Sequence, residues 1–180
     1  MEEIKRKILL LLLAGISFSL TWHPGKQWKI IKQLSKEWKK IDDKVLKEEI
    51  KKLYRSRLVE RKKNPDGSFT FVLTEKGKLK ALTYHFQNMK IKKENWDGKW
   101  RIVMFDIPEK MKSARDALRE KLKELGFYEL QKSVFVFPFE CKNEIDFVIE
   151  FFNLRKFVRF ALLESIDNEL HLREIFKLET

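Results

Sequence analysis

Apolar residues recur with a helical period through the first part of the chain. Residues 3–17 hold the run Ile8-Leu-Leu-Leu-Leu-Leu-Ala-Gly-Ile16 and predict a first helix buried on most sides. Pro24-Gly25 breaks the pattern. Trp28, Ile30, Ile31, Leu34 and Trp38 then predict an amphipathic helix over 26–40. A further helix reaches to about Arg57, with Val45, Leu46, Ile50, Leu53 and Tyr54 as its apolar stripe. Asp42 or Asp43 is placed to cap it, because a carboxylate accepts from the free N–H groups of a first turn.

The period then changes. Residues 58–63 and 68–73 flank Asn64-Pro65-Asp66-Gly67, where Pro65 fixes one φ and Gly67 frees another, so a hairpin is predicted. Thr74 caps a helix over 75–88 with Leu79, Leu82 and Phe86 as its apolar positions. Three helices, a hairpin and a trailing helix predict a winged helix-turn-helix over residues 1–90.

Residues 91–98 read as a polar linker, and a second pattern occupies 99–180. A strand at 100–106 is followed by a helix at 110–125 closed by Gly126. Strand material runs from Phe127 to Phe139, and no Gly or Asn turn marks its division near Gln131–Ser133. A helix at 142–153, a strand at 156–163 and a short helix at 167–177 complete the chain. The order βαββαβ is ferredoxin-like. The expected fold class is therefore α+β: a winged helix followed by a ferredoxin-like domain. Such a sheet carries two helices on one face, and the other face is expected to be open, aromatic and covered by a second copy.

Charge divides the chain at the same place. Residues 1–95 hold 24 Lys and Arg against 11 Asp and Glu, a net charge of +13, whereas residues 96–180 hold 15 against 16. A basic half joined to a neutral half points to a polyanion-binding module attached to a partner domain. The single Cys141 excludes an internal disulfide and a multi-cysteine zinc site, and His23, His85 and His171 show no metal-ligand spacing. Cys141 reads as a small apolar residue. A cytoplasmic location is expected. Lys5-Arg6-Lys7 before the leucine run imitates a secretory leader, but no small-residue cleavage site follows. The run is also too short to span a bilayer, so no membrane partner is expected.

The polyanion expected is double-stranded DNA. Lys44, Lys47, Lys51 and Arg55 share one broad face of the helix before the hairpin, which is the helix that enters the major groove in this class of module. Arg61, Lys62 and Lys63 on the first hairpin strand are expected to meet backbone or minor groove. Gln131, Ser133 and Phe135 are assigned to the strand junction or a dimer seam.

Trp100-Arg-Ile-Val-Met-Phe-Asp-Ile-Pro-Glu109, Leu125-Gly-Phe127 and Leu130-Gln-Lys-Ser-Val-Phe135 resemble the small CRISPR-associated endonuclease of the adaptation machinery. With Trp96-Asp-Gly-Lys-Trp100 and the winged helix in front, nearly the whole chain resembles the phenylacetate-repressor (PaaX-like) family. The resemblance implies a homodimeric, sequence-specific transcriptional regulator, a repressor. Members of that family carry a further C-terminal domain that a sequence ending at residue 180 does not include, so acyl-CoA control is not carried over and the effector stays open. The endonuclease resemblance implies an alternative, in which Asp106 is a catalytic and metal-binding residue holding Mg²⁺ for phosphodiester hydrolysis. The same aspartate also reads as a strand end before Pro108. A non-catalytic adaptor in defence is the third reading. No cofactor is expected outside the nuclease alternative.

Overall fold

The computed structural model describes residues 2–15, 19–21, 29–31 and 41–178. The chain divides into two units, Met1–Asn88 and Met89–Thr180.

In the first unit, α1 (Glu2–Leu13) buries Ile8 and Leu9. It ends earlier than predicted, before Gly15 at φ +75°; residues 16–17 of the prediction lie outside the described residues. Two short antiparallel strands follow, β1 (Ser19–Thr21) and β2 (Lys29–Ile31). The strand β2 corrects the helix predicted over 26–40. Ile30-Ile31 is β-branched and favours extended backbone, and Leu20 pairs with Ile30. The rest of that predicted helix lies outside the described residues.

The next helix, α2 (Asp43–Arg55), is capped by Asp42, whose carboxylate accepts from the N–H of Lys44 at 2.9 Å and of Val45 at 3.2 Å. Leu46, Ile50 and Leu53 recur at helical spacing and pack with Ile8, Leu9, Val59, Phe71 and Ala81 in one core. The helix stops where Arg57 takes φ +57°. The Leu58 N–H then donates to the Leu53 carbonyl and the Arg57 N–H to the Tyr54 carbonyl. This pair of bonds satisfies two end carbonyls and turns the chain into the hairpin.

The hairpin is β3 (Val59–Lys63) and β4 (Phe69–Leu73), in register Val59↔Leu73 to Lys63↔Phe69. Its turn is held by Asp66, which accepts from the Ser68 N–H and hydroxyl, and by Asn64, whose amide donates to Ser68 and Thr70. Gly67 supplies φ +79°. β1 also pairs with β4, so the sheet order is β2-β1-β4-β3. Thr74 then caps α3 (Glu75–Asn88) by accepting from the Gly77 N–H at 3.1 Å.

In the second unit, β5 (Trp100–Phe105) leads through one 3₁₀ turn (Glu109–Met111) to α4 (Lys112–Glu124). Then come β6 (Tyr128–Gln131), β7 (Val134–Phe137), α5 (Lys142–Phe151), β8 (Val158–Leu163) and α6 (Glu169–Phe176). The sheet is antiparallel throughout, in the order β6-β7-β5-β8, which is the ferredoxin-like topology. The division that the sequence left unmarked is a two-residue turn, Lys132-Ser133, with a register irregularity between Glu129 and Gln131.

Strand alternation divides β5 between two faces. Val103 and Phe105 share one face with Phe135 and Phe137, and all four are buried. The crossover helices bury Leu118 and Leu122 of α4 and Ile145, Val148 and Ile149 of α5. The other face was expected to be open, and it is not. Trp100, Ile102 and Val136 form a cluster with Leu172 and Phe176 of α6 and with Trp96. The tail helix returns over the sheet because it carries apolar residues four apart, as the sheet face requires.

Candidate nucleic-acid interface

The charged side of α2 follows from its buried side. With Leu46, Ile50 and Leu53 committed to the core, Lys44, Lys47, Lys51 and Arg55 at spacings of three and four residues fall on one outward stripe. Among the described residues none of these four is held in an ion pair. Lys52 lies off the stripe and donates to the buried Glu49 carboxylate at 2.6 Å.

The hairpin divides its three cations. Arg61 and Lys63 alternate with Val59 on the face that meets α2, whereas Lys62 alternates with Glu60 on the opposite face. Arg61 turns back toward α2. Its guanidinium carbon is 5.9 Å from the centre of the Tyr54 ring and 5.0 Å from that of Phe69. A cleft of about 230 Å³ runs between α2 and the hairpin, lined by Lys47, Ile50, Lys51, Tyr54, Arg61, Phe69 and Phe71. Tyr54 was assigned to the apolar stripe of α2; it is 46% exposed and belongs to this cleft. The sequence does not signal the aromatic pair around Arg61, because the hairpin brings Phe69 to Tyr54 only on folding.

In the second unit Asp106 is exposed just beyond β5, and its N–H donates to the Phe157 carbonyl at 3.0 Å. It lines a shallow pocket of about 520 Å³ with Met104, Phe105, Ser133, Val134, Lys156, Phe157 and Arg159. The Ser133 carbonyl accepts from the Phe105 N–H, so Ser133 ties the β6–β7 turn to β5. Gln131 is exposed at the end of β6. Phe135 lies in β7 two residues after Ser133; it is fully buried and stacks on Phe105 with ring centres 6.0 Å apart.

The entry into β5 is the most highly bonded part of this unit. Arg101 is buried, and its guanidinium donates to both Asp97 oxygens, to Glu140 and to the carbonyls of Lys99 and Pro138. The Arg101 hydrogen bonds hold the Asp97 carboxyl down at about 2. Trp96 packs at a tilt against Trp100, with ring centres 5.0 Å apart, and lies under the Arg173 guanidinium at 4.5 Å. Residues 93–172 match the family described as the PaaX protein central Cas2-like domain. The second unit is similar to that PaaX domain over most of its length. No curated protein matches the chain.

The endonuclease resemblance read from the sequence raises the question of a divalent ion at Asp106. Among the described residues no three His, Cys, Asp or Glu side chains come together. Lys156 and Arg159, not further carboxylates, share the Asp106 pocket. A divalent cation is held by several oxygen donors, and neighbouring cations oppose it. Among the described residues of one chain, Asp106 therefore has two cations and no second carboxylate in its pocket. Cys141 is buried just before α5, and burial pushes its thiol up to about 12, so it is no nucleophile near neutral pH. No helix among the described residues is long and apolar enough to cross a membrane.

Proposed function

We propose that the chain is a homodimeric, sequence-specific DNA-binding transcriptional regulator. Its first unit acts as a winged helix, and its second unit pairs two copies. The observation that carries this reading is the unpaired basic stripe of Lys44, Lys47, Lys51 and Arg55, flanked on one side by Arg61 and Lys63 of the hairpin. A solvated helix face ordinarily intersperses both signs of charge, whereas this stripe adjoins a second basic element on the same side. In this reading α2 enters the major groove and β3–β4 is the wing. Lys62, on the far face of the wing, contributes less than its sequence neighbours.

Pairing is supported by the second sheet, in which β8 is an edge strand with Leu162 and Leu163 exposed. Two copies present two α2 helices, so the preferred site is an inverted repeat. The test is selection from randomised duplex DNA, with light scattering for the mass of the free protein. An enriched palindrome and a dimeric mass are expected. A selection that enriches nothing removes the sequence-specific regulator.

A further inference from the structure

Three cations converge on the cleft between α2 and the hairpin, and among the described residues no carboxylate lines it. Lys47 and Lys51 stand one helical turn apart on one wall, and Arg61 faces them from β3. The remaining lining, Ile50, Tyr54, Phe69 and Phe71, is apolar apart from the tyrosine hydroxyl. The described lining therefore leaves this concentration of positive charge uncompensated.

Arg61 is unlike the two lysines. The Tyr54 and Phe69 rings lie within cation–π distance of its guanidinium. Such contacts hold the cation beside two rings that take none of its hydrogen bonds. Among the described residues none of its N–H donors is taken by a hydrogen bond or an ion pair. A guanidinium placed by ring contacts, with its donors still available, is a fork for a doubly accepting oxyanion.

We infer that this cleft seats one backbone phosphate of duplex DNA, held by Arg61 with Lys47 and Lys51, and that Tyr54 and Phe69 are positioning residues that aim Arg61. The inference rests on the DNA-binding reading above and specifies where the α2 face and the wing share a single contact. Phosphate is the occupant by charge complementarity: three cations on an apolar floor suit a group that brings its own charge and several acceptors. The rings act by pre-organisation. They spare Arg61 part of the side-chain ordering that a free arginine undergoes on binding.

The experiment is anisotropy of the full chain on a mixed-sequence duplex, titrated with salt, with thermal melts of every variant. Arg61→Ala is expected to lower the salt slope by about 0.9, the loss of one phosphate contact. Tyr54→Leu and Phe69→Leu keep Arg61 and the apolar volume but remove the ring faces. Each is expected to weaken binding several-fold, and adding Arg61→Ala to either is expected to cost less than it costs alone. Lys78→Ala, an α3 lysine paired with Glu75, is expected to leave the slope unchanged. Tyr54→Leu, at a half-exposed site, carries the test if Phe69→Leu does not fold. Binding with an unchanged Arg61→Ala slope, or ring variants that bind like the parent chain, overturns the seat alone. A parent chain that does not bind duplex DNA overturns the DNA-binding reading and the seat with it.

Discussion

Arg101 and Asp97 are joined by two hydrogen bonds, one from each terminal guanidinium nitrogen to a different carboxylate oxygen. The arginine is buried at the start of β5, and the aspartate is half exposed in the turn before it. Sequence spacing alone places them four residues apart; the Asp97-Gly98 turn, with Gly98 at φ +76°, brings them face to face.

Removing this arginine takes a donor from the Pro138 carbonyl and one of two from the Lys99 carbonyl, which keeps the Trp96 indole N–H, and leaves two carboxylates without their cation. Arg101→Met is expected to destabilise the chain by roughly 3 kcal/mol, near the lower end for breaking a buried charged network, because both carboxylates can still reach water. Arg101→Lys recovers only part of the loss, since one ammonium cannot replace five fixed donors. Urea denaturation measures both, and a shift below about 0.5 kcal/mol, the size of an ordinary surface substitution, contradicts the assignment.

The same pair predicts a response to acid. Asp97 titrates at about 2 in the folded chain against an ordinary 3.8. A carboxyl whose folded pKa is depressed binds fewer protons folded than unfolded near that pH. Its stabilising contribution is thus complete above about 4 and is lost as pH falls toward about 2. Glu140 is lowered as well, first by the Lys142 N–H and then by Arg101. Melting temperature should fall across that window in the parent chain and fall less steeply in Asp97→Asn.

Gly77 lies in the first turn of α3, where alanine ordinarily stabilises a helix by up to about 1 kcal/mol. Here the sign reverses. A Cβ at Gly77 would stand 1.9 Å from the Leu58 carbonyl oxygen, which also accepts from the Thr74 N–H. Gly77→Ala is expected to lower the melting temperature by several degrees, since a backbone group must move. An unchanged or raised value rejects this packing of α3 against the α2–β3 junction.

Cys141 predicts silence. With its thiol pushed up to about 12 by burial, a thiol reagent at neutral pH should label it only after denaturant exposes it. Rapid labelling of the native chain would place the residue elsewhere.

Much of the local structure was legible because its causes are local. The Asp42 cap, the Leu46–Ile50–Leu53 stripe, the Asn64–Gly67 reversal and the Thr74 cap each need only a few neighbouring residues, and each forms. The segment around Ile30-Ile31 was misread. Its apolar spacing suits a helix, but pairing with Ser19–Thr21, ten residues earlier, makes it extended.

By itself the sequence determined the order of elements from Asp43 onward, the basic character of α2 and the hairpin, and the resemblance of the second unit. These depend on composition and short-range spacing. Tertiary structure decided the rest. It put Arg61 between Tyr54 and Phe69, sent Lys62 to the far side of the hairpin, and folded α6 over Trp100. It also surrounded Asp106 with Lys156 and Arg159 and no second carboxylate among the described residues. Each depends on residues far apart in the chain that only the folded backbone brings within a few ångströms.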